Sequence, residues 1–258
     1  MEGYRAEAYG EAMADVYDVW YAGVSDVEAT VATLTRLVTG AGSGRVLELG
    51  VGTGRLALPL AARGIQVTGV DVSPAMIARL KAKPGGDGID VVVGDMADDL
   101  PEGPFSLVFV AFNTFFGLTS REAQAQCFVE VAGRLEPHGV FALEAFVPDE
   151  ELIGGGARIE VRSLSADRVV LTVSRHDAQT QRAEGQFVEL TEAGGVRLRP
   201  WSLRYAPPAE LDAMAAEAGL TLEQRWSSWD ETPFTPDSTQ HVSLYRHLGR
   251  VPPRMGPQ

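Results

Sequence analysis

Three carboxylates in the N-terminal half of the chain each stand at or near the end of an apolar run. Glu48 lies in Val46-Leu47-Glu48-Leu49, Asp71 follows Ile65 to Val70, and Asp95 follows Val91-Val92-Val93-Gly94. A carboxylate at the tip of a buried strand loses water, so it must be paired or put to use. Between the first two acids runs Gly50-Val51-Gly52-Thr53-Gly54, with glycine at every second position. Where such a turn joins a strand to a helix, a ligand can rest on bare backbone at the helix start. No Cβ holds it away, and glycine tolerates the positive φ that such turns often need. Asp71 comes about 20 residues after Gly50, the offset at which an acid on a second strand reaches a ribose diol. A tight βα turn could use the same glycines with no ligand, but acids at three successive strand ends favour a cradle for a nucleoside.

Positioning these groups requires a strand before the glycine turn and a helix after it. Arg55 to Arg63 reads as that helix, with Leu56, Leu60 and Ala61 on one face and Gly64 at its end. Ile65 to Val70 and Asp90 to Gly94 read as the second and third strands, and Phe105 to Val110 as the fourth. Gly139 to Phe146 reads as the fifth, entered through a Pro137-His138-Gly139 turn. Ser73 and Pro74 suit the N-cap and first position of the helix after strand two. Upstream, Ser25 to Thr39 reads as a helix with Ser25 as N-cap and Glu28 three residues on, and Val27, Val31, Leu34, Leu37 and Val38 as its apolar stripe. The first 23 residues are rich in tyrosine, and Tyr17, Trp20 and Tyr21 share one helical face. Glu144 is an acid inside the apolar fifth strand, hence paired or functional.

From residue 158 the pattern changes to short alternating segments: Arg158 to Leu164, Val169 to His176, Arg182 to Leu190 and Val196 to Tyr205. Turn signals separate them, which predicts a small antiparallel sheet inserted after strand five. Pro207-Pro208 opens a helix that Gly219 ends, and Leu220 to Trp229 and His241 to His247 read as the last two strands.

Glu48-x-Gly50-x-Gly52-x-Gly54, Asp71 after strand two and Gly94-Asp95-Met96 after strand three resemble the class I S-adenosylmethionine-dependent methyltransferases. Nicotinamide dehydrogenases share the first two features, but Gly-Asp-Met is not part of their pattern, and their fingerprint wants glycine where this chain has Arg55. The resemblance implies an α/β fold: a doubly wound, seven-stranded, mostly parallel sheet, here with the inserted antiparallel sheet added. It implies S-adenosylmethionine as cofactor, with Gly50, Gly52 and Gly54 forming the turn beside its methionine part and Glu48 supporting the loop near its amino group. Asp71 would hold the ribose hydroxyls, Val72 and Met76 would flank the adenine, Asp95 would accept from the adenine amino group, and Met96 would offer its amide. Ala14 to Tyr21 is similar to the opening segment of small-molecule N-methyltransferases, including those acting on amino sugars, which puts Tyr9 and Tyr21 at the cofactor or acceptor. The fourth strand's end, Ala111-Phe112-Asn113-Thr114, would set Phe112 beside the cofactor and Asn113 toward the amine or the methionine carboxylate. Tyr21, Asn113 and Glu144 are the candidate catalytic residues. The Asn/Asp-Pro-Pro-aromatic pattern of base-modifying amino-methyltransferases is missing here.

Composition narrows the partners. The 258 residues carry a formal net charge of −13, which disfavours gripping a phosphate backbone, so no nucleic-acid partner is expected. No apolar run suggests a membrane partner or a leader, and the single Cys127, on a helical apolar stripe, suits a cytoplasmic protein. His138, His176, His241 and His247 are scattered, with no metal-ligand spacing, so no metal is expected. The layout reads as an N-terminal helical lid (1–40), a cofactor-binding core (41–150), an inserted β lid or association element (151–206), a helix and β-hairpin completing the core sheet (207–249), and a disordered tail (250–258). The inserted sheet would serve a homodimer. The expected function is methyl transfer to an amine nitrogen of a small secondary metabolite. An oxygen or carbon acceptor, a non-catalytic cofactor-binding or association module and a nicotinamide-dependent oxidoreductase are the alternatives.

Overall fold

The computed structural model describes residues 1–39, 42–149 and 154–247. The expected tail at 250–258, and the expected boundaries at 40–41 and 150–151, lie outside the described residues.

The main sheet has seven strands: β1 (Arg45–Leu49), β2 (Gln66–Asp71), β3 (Asp90–Val93), β4 (Phe105–Val110), β5 (Leu135–Phe146), β10 (Leu220–Trp226) and β11 (Gln240–His247). Their order is β10-β11-β5-β4-β1-β2-β3, with β11 antiparallel to both neighbours and the other pairings parallel. This is the expected doubly wound sheet. Helices cover both faces, so the central strands are apolar throughout rather than alternating, and all six residues of β4 are buried. Leu47, Leu49, Val108 and Val110 pack toward α6 (Arg121–Arg134) and α7 (Pro208–Glu217) with Phe128 and Met214. Val46, Leu107 and Phe109 pack toward α3 (Val27–Thr39) and α4 (Ala57–Ala62) with Val31, Leu34 and Leu60. Each such side chain contributes about 1.5–3 kcal/mol on burial. The same alternation puts Glu48 on the α3–α4 side of β1.

Between β5 and α7 stands a separate four-stranded antiparallel sheet, β6 (Gly156–Leu164), β7 (Arg168–Asp177), β8 (Arg182–Thr191) and β9 (Val196–Arg204), in sequence order. Its inner face holds Val170, Phe187 and Arg199, all buried. Against it lie α1 (Ala8–Met13) and α2 (Tyr17–Trp20), packed with Met76 of α5 (Pro74–Lys81).

Several expectations are corrected. Asp26, not Ser25, caps α3: its Oδ1 accepts from Ala29 N at 2.9 Å, while Ser25 Oγ accepts from the Arg55 guanidinium. The helix after the glycine turn begins at Ala57 rather than Arg55. Pro137–Gly139 is not a turn but part of β5, absorbed where its pairing with β4 shifts register between Phe105 and Leu107. β10 ends at Trp226, and Trp229 lies buried under α3, its carbonyl accepting from Thr33 Oγ1 at 2.6 Å. Val27 and Leu37 of the expected α3 stripe are only partly buried, and Thr30 and Thr33 complete the buried face instead.

Candidate active site

The chain winds from β1 outward through β2 and β3, then returns to place β4 on the other side of β1. Ligands of open α/β sheets bind at the carboxyl ends of the strands where the order reverses. Here that crevice is a cavity of about 390 Å³.

Its floor is the glycine turn. Gly50, Gly52 and Gly54 have φ of +69°, +55° and +81°. They serve different purposes. A Cβ on Gly52 would meet nothing closer than 3.9 Å, so it would project into the cavity, whereas a Cβ on Gly54 would strike Leu80 at 2.9 Å. Gly50 and Gly52 line the cavity, and Gly54 lets the turn pack on α5. Asp71 binds the turn to β2: its Oδ2 accepts from Gly52 N at 2.7 Å and its Oδ1 from Ser73 N at 2.8 Å. Burial raises its pKa, opposed by those two N–H donors. Each oxygen keeps lone-pair capacity toward the cavity, so the pair fits a ribose diol. Ser73 caps α5 as expected, accepting from Met76 N at 3.2 Å.

Val72, Met76, Asp95 and Met96 line the same wall. Asp95 Oδ1 accepts from Ala97 N at 2.8 Å, and the Asp95 N–H donates to Asp99 Oδ2 at 2.9 Å, which fixes the loop and keeps the second carboxylate oxygen of Asp95 for the cavity. Glu48 is 5% exposed and does not touch the cavity. Burial pushes its carboxyl up to about 8, with Arg55 lowering it, Asp71 raising it and the Ala57 N–H lowering it. Its Oε2 has no hydrogen-bond partner. An orphaned buried carboxyl oxygen, a side-chain-free turn and a doubly braced Asp71 together fit a nucleoside ligand that carries a cationic group.

The N-terminal segment roofs the cavity. Tyr9, Tyr17 and Tyr21 line it, the Tyr9 hydroxyl donating to Tyr21 Oη at 3.1 Å. Tyr17 and Tyr21 lie 4.8 Å apart between ring centroids, and Tyr21 meets Phe112 edge-on at 5.6 Å. Burial pushes the Tyr17 phenol up to about 12 against the pull of Arg55. Burial, and then Tyr21 and Tyr17, push Tyr9 well above the ordinary phenol value. Two fastenings hold this roof to the turn and to α5. Asp18 Oδ1 accepts from Thr53 Oγ1 at 2.6 Å and from Lys83 Nζ at 2.9 Å. Glu11 Oε1 accepts from Ser73 Oγ at 2.9 Å and from Ala75 N at 3.0 Å. Sequence reasoning missed Glu11 and Asp18, because nothing local marks an acid whose partner lies 35 or more positions away.

Opposite, just beyond the end of β4, two residues have positive φ, Phe112 at 54° and Asn113 at 62°. For an aromatic residue this conformation is strained. Two side-chain contacts hold it: Phe112 N donates to Glu144 Oε2 at 2.7 Å, and Phe146 N donates to Asn113 Oδ1 at 2.7 Å. Phe112 and Asn113 line the cavity and Glu144 does not. The carboxylate of Glu144 is thus spent on backbone, behind the wall. Phe187, Trp201 and Leu203 of the four-stranded sheet close the far side, a contribution the sequence did not assign. Among the described residues no group of three His, Cys, Asp or Glu could hold a metal ion.

Residues 46–139 match a family model described as a methyltransferase domain. A cypemycin N-terminal methyltransferase from a Streptomyces species is 30% identical over 198 residues, 76% of this chain and 80% of that protein. The structure of the CcbJ methyltransferase from Streptomyces caelestis matches with a TM-score of 0.84 at 39% identity, covering 95% of this chain and 99% of that one. The sugar N-methyltransferase KedS8 from a Streptoalloteichus species shares the fold, with a TM-score of 0.68, 23% identity and coverage of 96% and 99%. The chain belongs to the class I S-adenosylmethionine-dependent methyltransferases. S-adenosylmethionine is its cofactor, and the nicotinamide alternative falls away. No helix among the described residues is long and apolar enough to cross a membrane.

Proposed function

We propose that this enzyme N-methylates an amine of a small secondary metabolite, in the cytoplasm and without a nucleic-acid partner. The observation that carries the reading is the aromatic enclosure of the cavity by Tyr9, Tyr17, Tyr21 and Phe112. Ring faces stabilise onium cations, both the cofactor's sulfonium and the ammonium an amine becomes when methylated. The names of the cypemycin N-terminal methyltransferase and of KedS8 point the same way. The buried free thiol of Cys127 suits a reducing compartment.

The cofactor supplies an electrophilic methyl group on a good leaving group, so this chain's residues have to bind, orient and exclude water. Asp71, Val72, Met76, Asp95 and Met96 would hold the nucleoside part, and Gly50 and Gly52 the amino acid part, with Glu48 supporting the turn from behind the cavity wall. Tyr9 and Tyr17, with pKa values raised, keep their protons at neutral pH. They therefore serve as hydrogen-bond partners, not as resting-state bases. Tyr21 Oη, which accepts from Tyr9, would take an amine N–H and aim the nitrogen lone pair, with Asn113 beside it. Glu144 acts by holding the Phe112–Asn113 pair in its strained form. α1 and α2 would open and close over the bound cofactor while α3, packed in the core of the main sheet, stays in place, and the inserted sheet forms the acceptor's far wall.

The outer face of that sheet supports a homodimer. Its cross-strand rows are Ile159-Val173-Gln186-Pro200, Val161-Leu171-Val188-Leu198 and Leu164-Val169-Leu190-Val196. Ile159, Val161 and Leu164 are 72%, 65% and 73% exposed. No charge interrupts these rows in a chain of net charge −13, so this is the face on which a second copy meets no like-charge repulsion and buries apolar surface.

The test is turnover. With S-adenosylmethionine and a panel of small primary and secondary amines, S-adenosylhomocysteine should appear together with acceptors heavier by one methyl group. Methylation confined to amine-free hydroxyl compounds would replace the amine reading by an oxygen one.

A further inference from the structure

Arg162 has no role in the site described so far. It lies on β6, and the β6–β7 pairing steps from Val161↔Leu171 to Ser163↔Val170, so Arg162 is the extra residue of a β-bulge. Bulges of this kind re-aim a side chain and recur beside functional sites. This one keeps Val161 and Leu164 both on the outer apolar face while adding an inward-facing residue between them. The guanidinium stands over three rings: Phe187 at 4.7 Å, Tyr21 at 5.1 Å and Trp20 at 5.2 Å. Tyr21 and Phe187 are themselves cavity walls, and the Arg162 charge is near enough to pull the Tyr9 phenol down against its burial.

The contrast with Arg199 is informative. That guanidinium lies over the same Trp20 at 5.2 Å, yet it is buried and neutralised by Asp15 at 2.6 Å and Glu189 at 2.9 Å. Arg162 is exposed and has no carboxylate partner among the described residues. A guanidinium held over rings keeps N–H donors for another partner, and its fork matches a carboxylate.

We propose that Arg162 is a specificity residue that docks a carboxylate of the acceptor at the cavity rim, beside the wall formed by Tyr21 and Phe187. The proposal rests on the amine reading above, and it narrows that reading to acceptors that carry an acid as well as an amine. A guanidinium with no carboxylate of its own suits a carboxylate. No covalent step is involved, and Arg162 touches the acceptor's acid rather than the reacting atoms.

The experiment uses the full chain saturated with S-adenosylhomocysteine. Small amino acids and their amides serve as twin probes that differ only in the acid, with binding to that complex followed by isothermal titration and turnover followed in separate reactions, with S-adenosylmethionine supplied instead, by S-adenosylhomocysteine release. The wild type should bind the acid twin about tenfold more tightly than the amide. Arg162→Gln should abolish that margin, Arg162→Lys should keep part of it, and S-adenosylhomocysteine affinity should be unchanged in both. In turnover the loss should fall on KM rather than kcat. Equal binding of the twins by the wild type, no binding of any acid twin at millimolar concentration, or a margin retained in Arg162→Gln overturns the proposal. Acid twins turned over with the same KM by wild type and Arg162→Gln would leave the amine reading standing while Arg162 falls. An Arg162-dependent binding margin without turnover of any amine would leave Arg162 standing while the amine reading falls.

Discussion

Glu48 permits a quantitative test of the cofactor site that needs no acceptor. Burial holds its carboxyl up at about 8, and Oε2 faces no partner. At pH 7 only about one unliganded molecule in ten then carries the anion. If the charge of this carboxylate, which lies behind the glycine turn rather than on the cavity wall, favours the amino group of the cofactor, the ionised form binds better, and binding expels the remaining proton. Between about pH 6 and pH 7 the ionised fraction rises roughly tenfold, so affinity for S-adenosylhomocysteine should rise by the same factor, ~1.4 kcal/mol. Isothermal titration in buffers of differing ionisation enthalpy reads both the affinity and the proton release. Wild type should release close to one proton per ligand in this range. Glu48→Gln should bind more weakly at pH 8 and show neither slope nor release. A wild-type affinity flat across the range, or an unchanged slope in Glu48→Gln, would refute the assignment. The unliganded fold gives an independent check with its own sign. The unfolded chain releases this proton near its ordinary value of 4.5 and the folded chain near 8. The folded state therefore binds more protons across that window, and stability falls as pH rises through it. The Tm of Glu48→Gln should accordingly overtake that of wild type as pH climbs toward 8.

Three further outcomes are expected. Asp71→Ala removes the acceptor of Gly52 N and Ser73 N as well as the ribose partner, so S-adenosylhomocysteine affinity should drop by about 1.5–3 kcal/mol; an unchanged Kd would show that the ribose lies elsewhere. Glu144→Ala strands the half-buried Phe112 N–H and should cost about 1–3 kcal/mol in denaturant unfolding, plus most turnover. Glu144→Gln keeps an acceptor at that point and should keep both; equal loss of turnover in the two variants would mean that Glu144 moves a proton. Val161→Glu sets a charge in the middle row of the outer sheet face and should convert a dimer to a monomer in sedimentation velocity, whereas a monomeric wild type would refute the dimer.

The parts legible in the sequence were those whose cause is local. Alternation and turn residues marked each strand of the inserted sheet nearly to the residue, and the glycine turn with Asp71 located the crevice. What escaped notice depends on partners distant in the chain. Ser25 and Asp26 both satisfy a capping pattern, and the cap falls to Asp26 while Arg55, 30 positions on, occupies Ser25. Pro137-His138-Gly139 has turn chemistry, yet strand pairing with β4 overrode it. Glu144 announced itself as an acid that needed a reason. The reason, a strained Phe112 on the neighbouring strand, has no signature in residue type, because positive φ at phenylalanine is imposed by the surrounding contacts.

The roof shows how such long-range partners shape function. Glu11, Asp15 and Asp18 lie within two turns of the N-terminal segment, and each grips a different body. Glu11 binds the start of α5, Asp18 binds the glycine turn through Thr53 and Lys83, and Asp15 binds Arg199 of the inserted sheet. The first two hold the segment over the cofactor wall and the third holds it to the acceptor wall. The segment thus joins the two halves of the cavity rather than hinging on one of them. Lifting it to admit cofactor must break charge-assisted contacts on both sides, and these weaken with salt where they are exposed. The Asp15–Arg199 pair, with the guanidinium buried under Trp20, is the contact least open to that screening. Motion should therefore begin at Asp18, where the carboxylate is half exposed, and open the glycine turn first, so that cofactor exchanges while the wall facing the acceptor stays in place.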